Sequence, residues 1–128
     1  MTLLAAHATW ILIAAFGSSL LYEVYRATAR AGTSRHDSLA ALARQIPLYV
    51  GAAIVIGLLL ARFELASWIG LAFTAAVIGI SILYYNPTIM RERQPGIIDW
   101  LEDLLFTGLL FVAAALLTYD ATGWILQR

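Results

Sequence analysis

The sequence predicts an all-α integral membrane four-helix bundle. Three observations carry that expectation: four apolar stretches of near-spanning length, too little charge for a water-soluble surface, and no apolar/polar alternation of the kind a membrane barrel shows. Of 128 residues, 62% are hydrophobic and 12% charged, where a soluble globular domain carries about 25% charged residues. Mean hydropathy is +0.82. So little polar surface would not cover an aqueous core of this size, which makes lipid the expected solvent.

The elements follow in order. Residues 3–22 form the first apolar stretch, and with no basic segment before it and no small-residue cleavage pattern before Glu23 it reads as a retained helix. The second covers residues 46–61, the third 67–85 and the fourth 104–119. The second and fourth are shorter than the roughly 20 residues a span needs. Asp37 and Asp99 are predicted N-caps that lengthen both, through residues 38–45 and 100–103. Pro47 is expected to kink the second helix, Asn86-Pro87 to stop the third, and Pro95-Gly96 to break the chain before the fourth.

Arginine placement sets the expected orientation in the cell membrane. Arg26, Arg30, Arg35, Arg44, Arg91 and Arg93 fall in or beside the first and third connections, against Arg62 and Arg128 elsewhere. The positive-inside rule then puts both arginine-rich loops in the cytoplasm and both termini outside. Tyr22, Tyr25, Tyr84, Tyr85 and Trp100 suit the inner boundary and Trp68, Tyr119 and Trp124 the outer one, while Trp10 fits neither.

A shift of 62 residues lays residues 17–22 on 79–84 and, without a gap, Asp37, Leu39 and Leu42 on Asp99, Leu101 and Leu104. A match spread over helix, loop and helix points to duplication: one domain made of two tandem helical hairpins, residues 1–62 and 63–128. Two spans per repeat put the pseudo-two-fold axis along the membrane normal.

The candidate polar functional cluster is Asp99, Glu102 and Asp103, on one face of the fourth helix at i, i+3 and i+4, with Thr107 further along. Three readings stand: interfacial caps paired with Arg91, Arg93 or Arg44; the mouth of a cation or proton path, because acids near lipid are costly; or a docking surface for another subunit. Glu23 is expected to pair with Arg26 three residues on. His7 and Glu23 are the candidate buried polar groups. Arg91 and Arg93, with Tyr84 and Tyr85, are candidate contacts for anionic lipid headgroups or a partner. Asp120 is expected in water at the outer helix end. Small residues such as Gly17, Gly51, Ala53, Gly57, Gly70, Gly79 and Gly108 suit close helix approach, within the bundle or against another chain.

Several classes are excluded. Cysteine is absent, which removes disulfides, thiolate metal sites and cysteine nucleophiles. His7 and His36 fall on opposite sides of the predicted membrane, so one chain cannot build a bis-histidine haem site. Zero net charge offers no field for nucleic acid. With no soluble-enzyme motif, an enzyme, a metal and a cofactor are all unexpected. In size the chain is similar to small multidrug exporters and to fluoride channels. It lacks the glutamate deep in the first span that marks the former, offering His7, Thr9, Ser18 and Ser19 there, and the polar and phenylalanine track in the third span that marks the latter. The expected function is therefore a small multi-pass membrane protein acting by association, as a homodimer or other homo-oligomer or as an accessory chain among other membrane subunits. The alternative is a small channel or transporter.

Overall fold

A computed structural model describes residues 2–123; Trp124 and Arg128, assigned above to the outer side, lie outside them. Four helical spans run up and down in turn: α1 (Leu3–Thr28), α2 (Leu39–Leu60), α3 (Ala66–Ile80), which continues as a π-helical segment (Ser81–Met90), and α4 (Ile97–Thr122). Each span, counting α3 with its π segment, is long and apolar enough to cross a membrane. Each helix packs on its sequence neighbour and α4 closes the ring against α1. Leu83 (80% exposed), Ile97 (79%) and Leu21 (73%) point outward. Side chains of that size on a bundle's outer face belong against hydrocarbon. The protein is a small multi-pass membrane protein.

The helix ends differ from the sequence expectation in instructive ways. Asp37 is not the N-cap of α2: Ser38 is, its hydroxyl accepting the Ala41 N–H at 3.0 Å. Asp99 is not a cap either. The fourth helix starts earlier, with Gly96 as N-cap and Asp99 in the first turn, where its Oδ2 accepts the Gly96 N–H at 2.8 Å. Both aspartates are thereby turned to other partners. Asn86-Pro87 does not stop the third helix. The chain winds through Pro87 in the wider π register, in which i→i+5 bonding replaces the i→i+4 ladder that a proline breaks.

Arg62 ends α2 without a glycine. It adopts the left-handed conformation (φ 59°), and its N–H and that of Phe63 bond back to the Leu59 and Leu58 carbonyls at 3.1 and 3.0 Å, the paired pattern of a Schellman motif. Gly123 ends α4 at φ 67°.

The core runs through the middle of the bundle. Leu12, Leu110 and Leu117 are fully buried, and the Phe16 ring meets Tyr49, Phe73 and Phe106 at centroid distances of 6.4, 5.8 and 5.3 Å. Gly70 brings α3 close: a Cβ there would lie 3.2 Å from Leu117 Cδ1 and 3.4 Å from Val55 Cγ1. Added at Gly17, Gly57, Gly79 or Gly108, a Cβ would meet nothing within 4 Å, so these glycines do not serve packing inside the chain. Thr74 is fully buried in this layer and its hydroxyl has no hydrogen-bond partner among the described residues. Replacing it with valine removes an unmet polar group at nearly constant shape, and Thr74→Val is expected to raise stability by about 1 kcal/mol. Thermal unfolding in detergent measures it.

Polar groups collect at the two ends. One end joins the α1–α2 and π–α4 connections and carries six arginines, from Arg26 to Arg93. At the other, Asp120 is half-buried rather than free in water and accepts the hydroxyls of Thr2 and Ser67.

Candidate functional site

The inward stripe of α1 repeats every three to four residues: Ala5, Ala8, Leu12, Ala15, Phe16, Ser19, Tyr22, Glu23, Arg26. It never leaves the core face, yet over its last two turns it changes from apolar to polar. The stripe of α4 does the same in reverse, from Asp99 and Asp103 to Phe106, Leu110, Ala113 and Leu117. Side by side, these two helices place a polar layer inside the bundle at its arginine-rich end.

Two buried arginines organise that layer. Arg26, 2% exposed, grips Asp37 bidentately, Nε to Oδ1 at 2.8 Å and a terminal nitrogen to Oδ2 at 2.6 Å, and reaches Asp99 at 3.4 Å. Asp37 is wholly buried and also accepts the Ser34 hydroxyl at 2.8 Å. Arg93, 1% exposed, holds both oxygens of Glu23 at 3.1 and 2.7 Å, donates to Tyr85 Oη at 2.7 Å and to the His36 carbonyl at 3.1 Å, and lies 3.3 Å from Asp37 Oδ1. The Tyr22 and Tyr85 rings flank its guanidinium at 5.9 and 5.8 Å. Tyr22 donates to Asp99 at 2.5 Å and Tyr85 to Glu23 at 3.1 Å. Burial works against the charge of Arg93, but the bonds from Glu23 outweigh it and move its pKa up. The cluster ties α1, both arginine-rich connections, the π segment and α4 into one lock.

Beside the lock lies a cavity of about 60 Å³ to which all four spans contribute. Its polar wall is Ser19 and Glu23 of α1, Gln45 and Tyr49 of α2, Ser81 and Tyr85 of the π segment, and Glu102 and Asp103 of α4. Leu48, Val77, Ile80 and Phe106 make the remainder. Ser19 and Tyr49 share a hydrogen bond at 2.9 Å, and Asn86 donates to Asp103 at 3.3 Å. The π winding shapes this wall: the inward residues of the segment, Ser81, Tyr85 and Met90, are spaced by four and five, and Tyr84 is left facing out. Glu102 has no cationic or hydrogen-bonding partner among the described residues. Lock and cavity together hold five carboxyl groups, Glu23, Asp37, Asp99, Glu102 and Asp103, against two arginines.

The predicted site residues therefore separate. Asp99, Glu102 and Asp103 do share an inward face, but Asp99 is paired with Arg26 and Tyr22 rather than with Arg91, Arg93 or Arg44. Thr107 lies next to Ser81, hydroxyl to hydroxyl at 3.5 Å. Glu23 is buried as expected, though its partner is Arg93, seventy residues on, and not Arg26. His7 is exposed on the outside of α1 and is not a buried polar group of this chain. Arg93 and Tyr85 are not lipid contacts, because they bond inward; Arg91 and Tyr84 do face out. Sequence reasoning missed the Arg26–Asp37 pair and the chamber role of Tyr49 and Gln45. Among the described residues no group of three or more His, Asp or Glu side chains could hold a metal.

At the surface of the same end, Glu92 accepts from His36 and Arg35, and the His36 bond followed by Arg35 holds its carboxyl below the ordinary glutamate range. A depressed carboxylate stabilises the fold above its unfolded pKa and loses that contribution as pH falls through the folded value. NMR titration of Glu92 should give a midpoint below 4.5, and Arg35→Gln with His36→Gln should return it to the ordinary range.

Comparison with known protein families, with curated proteins and with solved structures finds no match.

Proposed function

We propose that this protein is a small channel or transporter that takes a small cation into the carboxyl-lined chamber at its arginine-rich end. The observation that carries this reading is Glu102, a carboxyl group at the wall of a partly open, largely apolar cavity beside Glu23 and Asp103, with no ion pair or hydrogen bond among the described residues. An ionised acid inside a membrane span costs about 2.5–3.5 kcal/mol on insertion scales and tends to mark an ion or proton pathway. The chamber limits the size of its guest. With room for on the order of four waters, it suits a proton or ammonium more than a metal ion, and falls far below the several hundred Å³ of a drug-sized pocket. The Phe16 layer and Leu12 and Leu110 shut the chamber off from the Asp120 end, so flux requires these helices to move or a second chain to complete the route. No bond-making step belongs to this reading, and the protein is not an enzyme. By the arginine distribution the chamber faces the cytoplasm of a cell membrane and the termini lie outside.

Proteoliposomes test it. Flux of at least one of H⁺, Na⁺, K⁺ or NH₄⁺ above empty vesicles is expected, and leakage equal to empty vesicles for all four defeats the proposal.

A second reading, association as a homodimer or as an accessory subunit, is supported by the glycines that face outward. Ala53 and Gly57 on α2, four residues apart and both exposed, form the small-xxx-small pattern that lets a further helix approach. Native mass spectrometry showing only monomer in mild detergent counts against the homodimer. Duplication of a hairpin belongs with this proposal too: Asp37 and Asp99, 62 residues apart, both contact Arg26, and Glu23 and Tyr85, also 62 apart, hydrogen-bond to each other.

A further inference from the structure

A second cavity opens outside the bundle at the arginine-rich end, between the first turns of α2 and the π segment. It holds about 480 Å³ and is lined by Arg35, His36, Arg44, Gln45, Tyr84 and Ile89, with Ala41 at its base. Its charge is positive: Arg35 shares Glu92 with His36, whereas Arg44 is exposed and has no ion pair or hydrogen bond among the described residues. Its level is defined by its neighbours. Arg44 and Gln45 immediately precede the apolar run of α2, in which Ile46 is 43% exposed, and Tyr84 (55% exposed) follows Leu83 (80% exposed) on the outer side of the π segment. A basic, hydroxyl-bearing cleft thus sits where two lipid-facing apolar surfaces end.

We propose that this cleft binds the phosphate of an anionic phospholipid, with Arg44 and Arg35 supplying charge-assisted hydrogen bonds, the Tyr84 hydroxyl a further donor, and the acyl chains lying along Ile46 and Leu83. A guanidinium fork matches two phosphate oxygens at once, and a tyrosine at the headgroup level keeps its ring in the apolar layer and its hydroxyl in the polar one. A volume of about 480 Å³ accommodates a headgroup, whereas the inner chamber does not. Gln45 lines both cavities, so it forms the wall between the bound headgroup and the carboxyl chamber. The proposal rests on the exterior cleft and stands whether or not the chamber conducts.

Thermal unfolding of the purified full chain in a mild non-ionic detergent, titrated with phosphatidylglycerol, tests it, with phosphatidylcholine and inorganic phosphate as the other arms. Phosphatidylglycerol is expected to raise the unfolding temperature in a saturable way, and Arg44→Gln to weaken its half-saturation about tenfold, the scale of one charge-assisted hydrogen bond. Arg44→Lys should recover part of that loss, Tyr84→Phe should weaken binding less than Arg44→Gln, and Arg30→Gln, an exposed arginine outside the cleft, should leave it unchanged. Equal stabilisation by phosphatidylcholine overturns the proposal, as does equal loss in Arg44→Gln and Arg30→Gln. Inorganic phosphate acting as well as the lipid overturns the lipid as ligand and assigns the cleft to free phosphate. If Arg44→Gln fails to fold, the comparison of Arg44→Lys and Tyr84→Phe with the unmodified chain decides.

Discussion

Arg93→Leu is expected to destabilise the protein by roughly 3–5 kcal/mol, the cost of removing one partner from a buried ion pair. The guanidinium makes two bonds to Glu23, one to Tyr85 Oη and one to the His36 carbonyl, and it lies beside Asp37. Leucine fills part of the volume and leaves Glu23 buried (4% exposed) without its counter-charge. The second half of the experiment separates charge from packing. Adding Glu23→Gln to Arg93→Leu should recover part of the loss, because the stranded charge is gone, and the coupling between the two positions should exceed about 1 kcal/mol in a double-mutant cycle. Arg93→Lys should fall between, since an ammonium keeps the charge but not the two-pronged geometry. Unfolding temperatures in one detergent of the parent, Arg93→Leu, Glu23→Gln, the double variant and Arg93→Lys measure all five proteins. An Arg93→Leu chain as stable as the parent would show that the lock contributes nothing to the fold.

Glu102→Gln carries the largest functional effect. The amide keeps the shape of the side chain and removes a chamber carboxyl that has no ion pair or hydrogen bond among the described residues, so cation flux in proteoliposomes should fall at least tenfold, about 1.4 kcal/mol or more of lost cation binding. The fold should not suffer. Glu23 and Asp103 line the same cavity, and taking away a like charge relieves repulsion, so the unfolding temperature should hold or rise. A protein that loses flux together with stability would point instead to Glu102 as a structural group. Asp103→Asn makes the comparison, because Asp103 already accepts from Asn86 and a milder loss is expected there.

Much of the fold was legible because lipid imposes few solutions. Four runs of apolar residues must be helices when no water is available to their backbones, and the positions of Arg26, Arg30, Arg35, Arg44, Arg91 and Arg93 in or beside two connections place those connections at one end. What sequence periodicity does not carry is which distant polar groups meet. Local spacing favours Glu23 with Arg26, three residues apart on one helix, yet each finds a partner elsewhere: Arg26 with Asp37, and Glu23 with Arg93. That exchange depends on how the two connections fold over the bundle end, which no helix period encodes. The helix ends misled for a related reason. Aspartate is a strong N-cap by preference, but Asp37 and Asp99 bond to arginine and tyrosine side chains inside the protein, and the neighbouring Ser38 and Gly96 take the cap positions. Pro87 was a reasonable stop for an α-helix and not for a π-helix, and along that segment Tyr85 turns inward while Tyr84 faces out.

The acid face of the fourth helix was legible as a pattern, and its chemistry was not. The spacing of Asp99, Glu102 and Asp103 is the same whether they cap, pair or line a chamber. The distinction came from Arg26 and Tyr22 taking Asp99, Asn86 taking Asp103, and no described residue pairing or hydrogen-bonding with Glu102. His7 shows the opposite case, a polar residue within a span whose side chain faces outward and joins no cluster.

Infrared difference spectroscopy on the reconstituted chain tests the central claim most directly. Exchanging the cation that supports flux against a large impermeant one should change the carboxyl bands of the parent protein, and the same exchange should leave the Glu102→Gln spectrum flat in that region. Identical difference spectra from the two proteins would contradict a cation bound at Glu102.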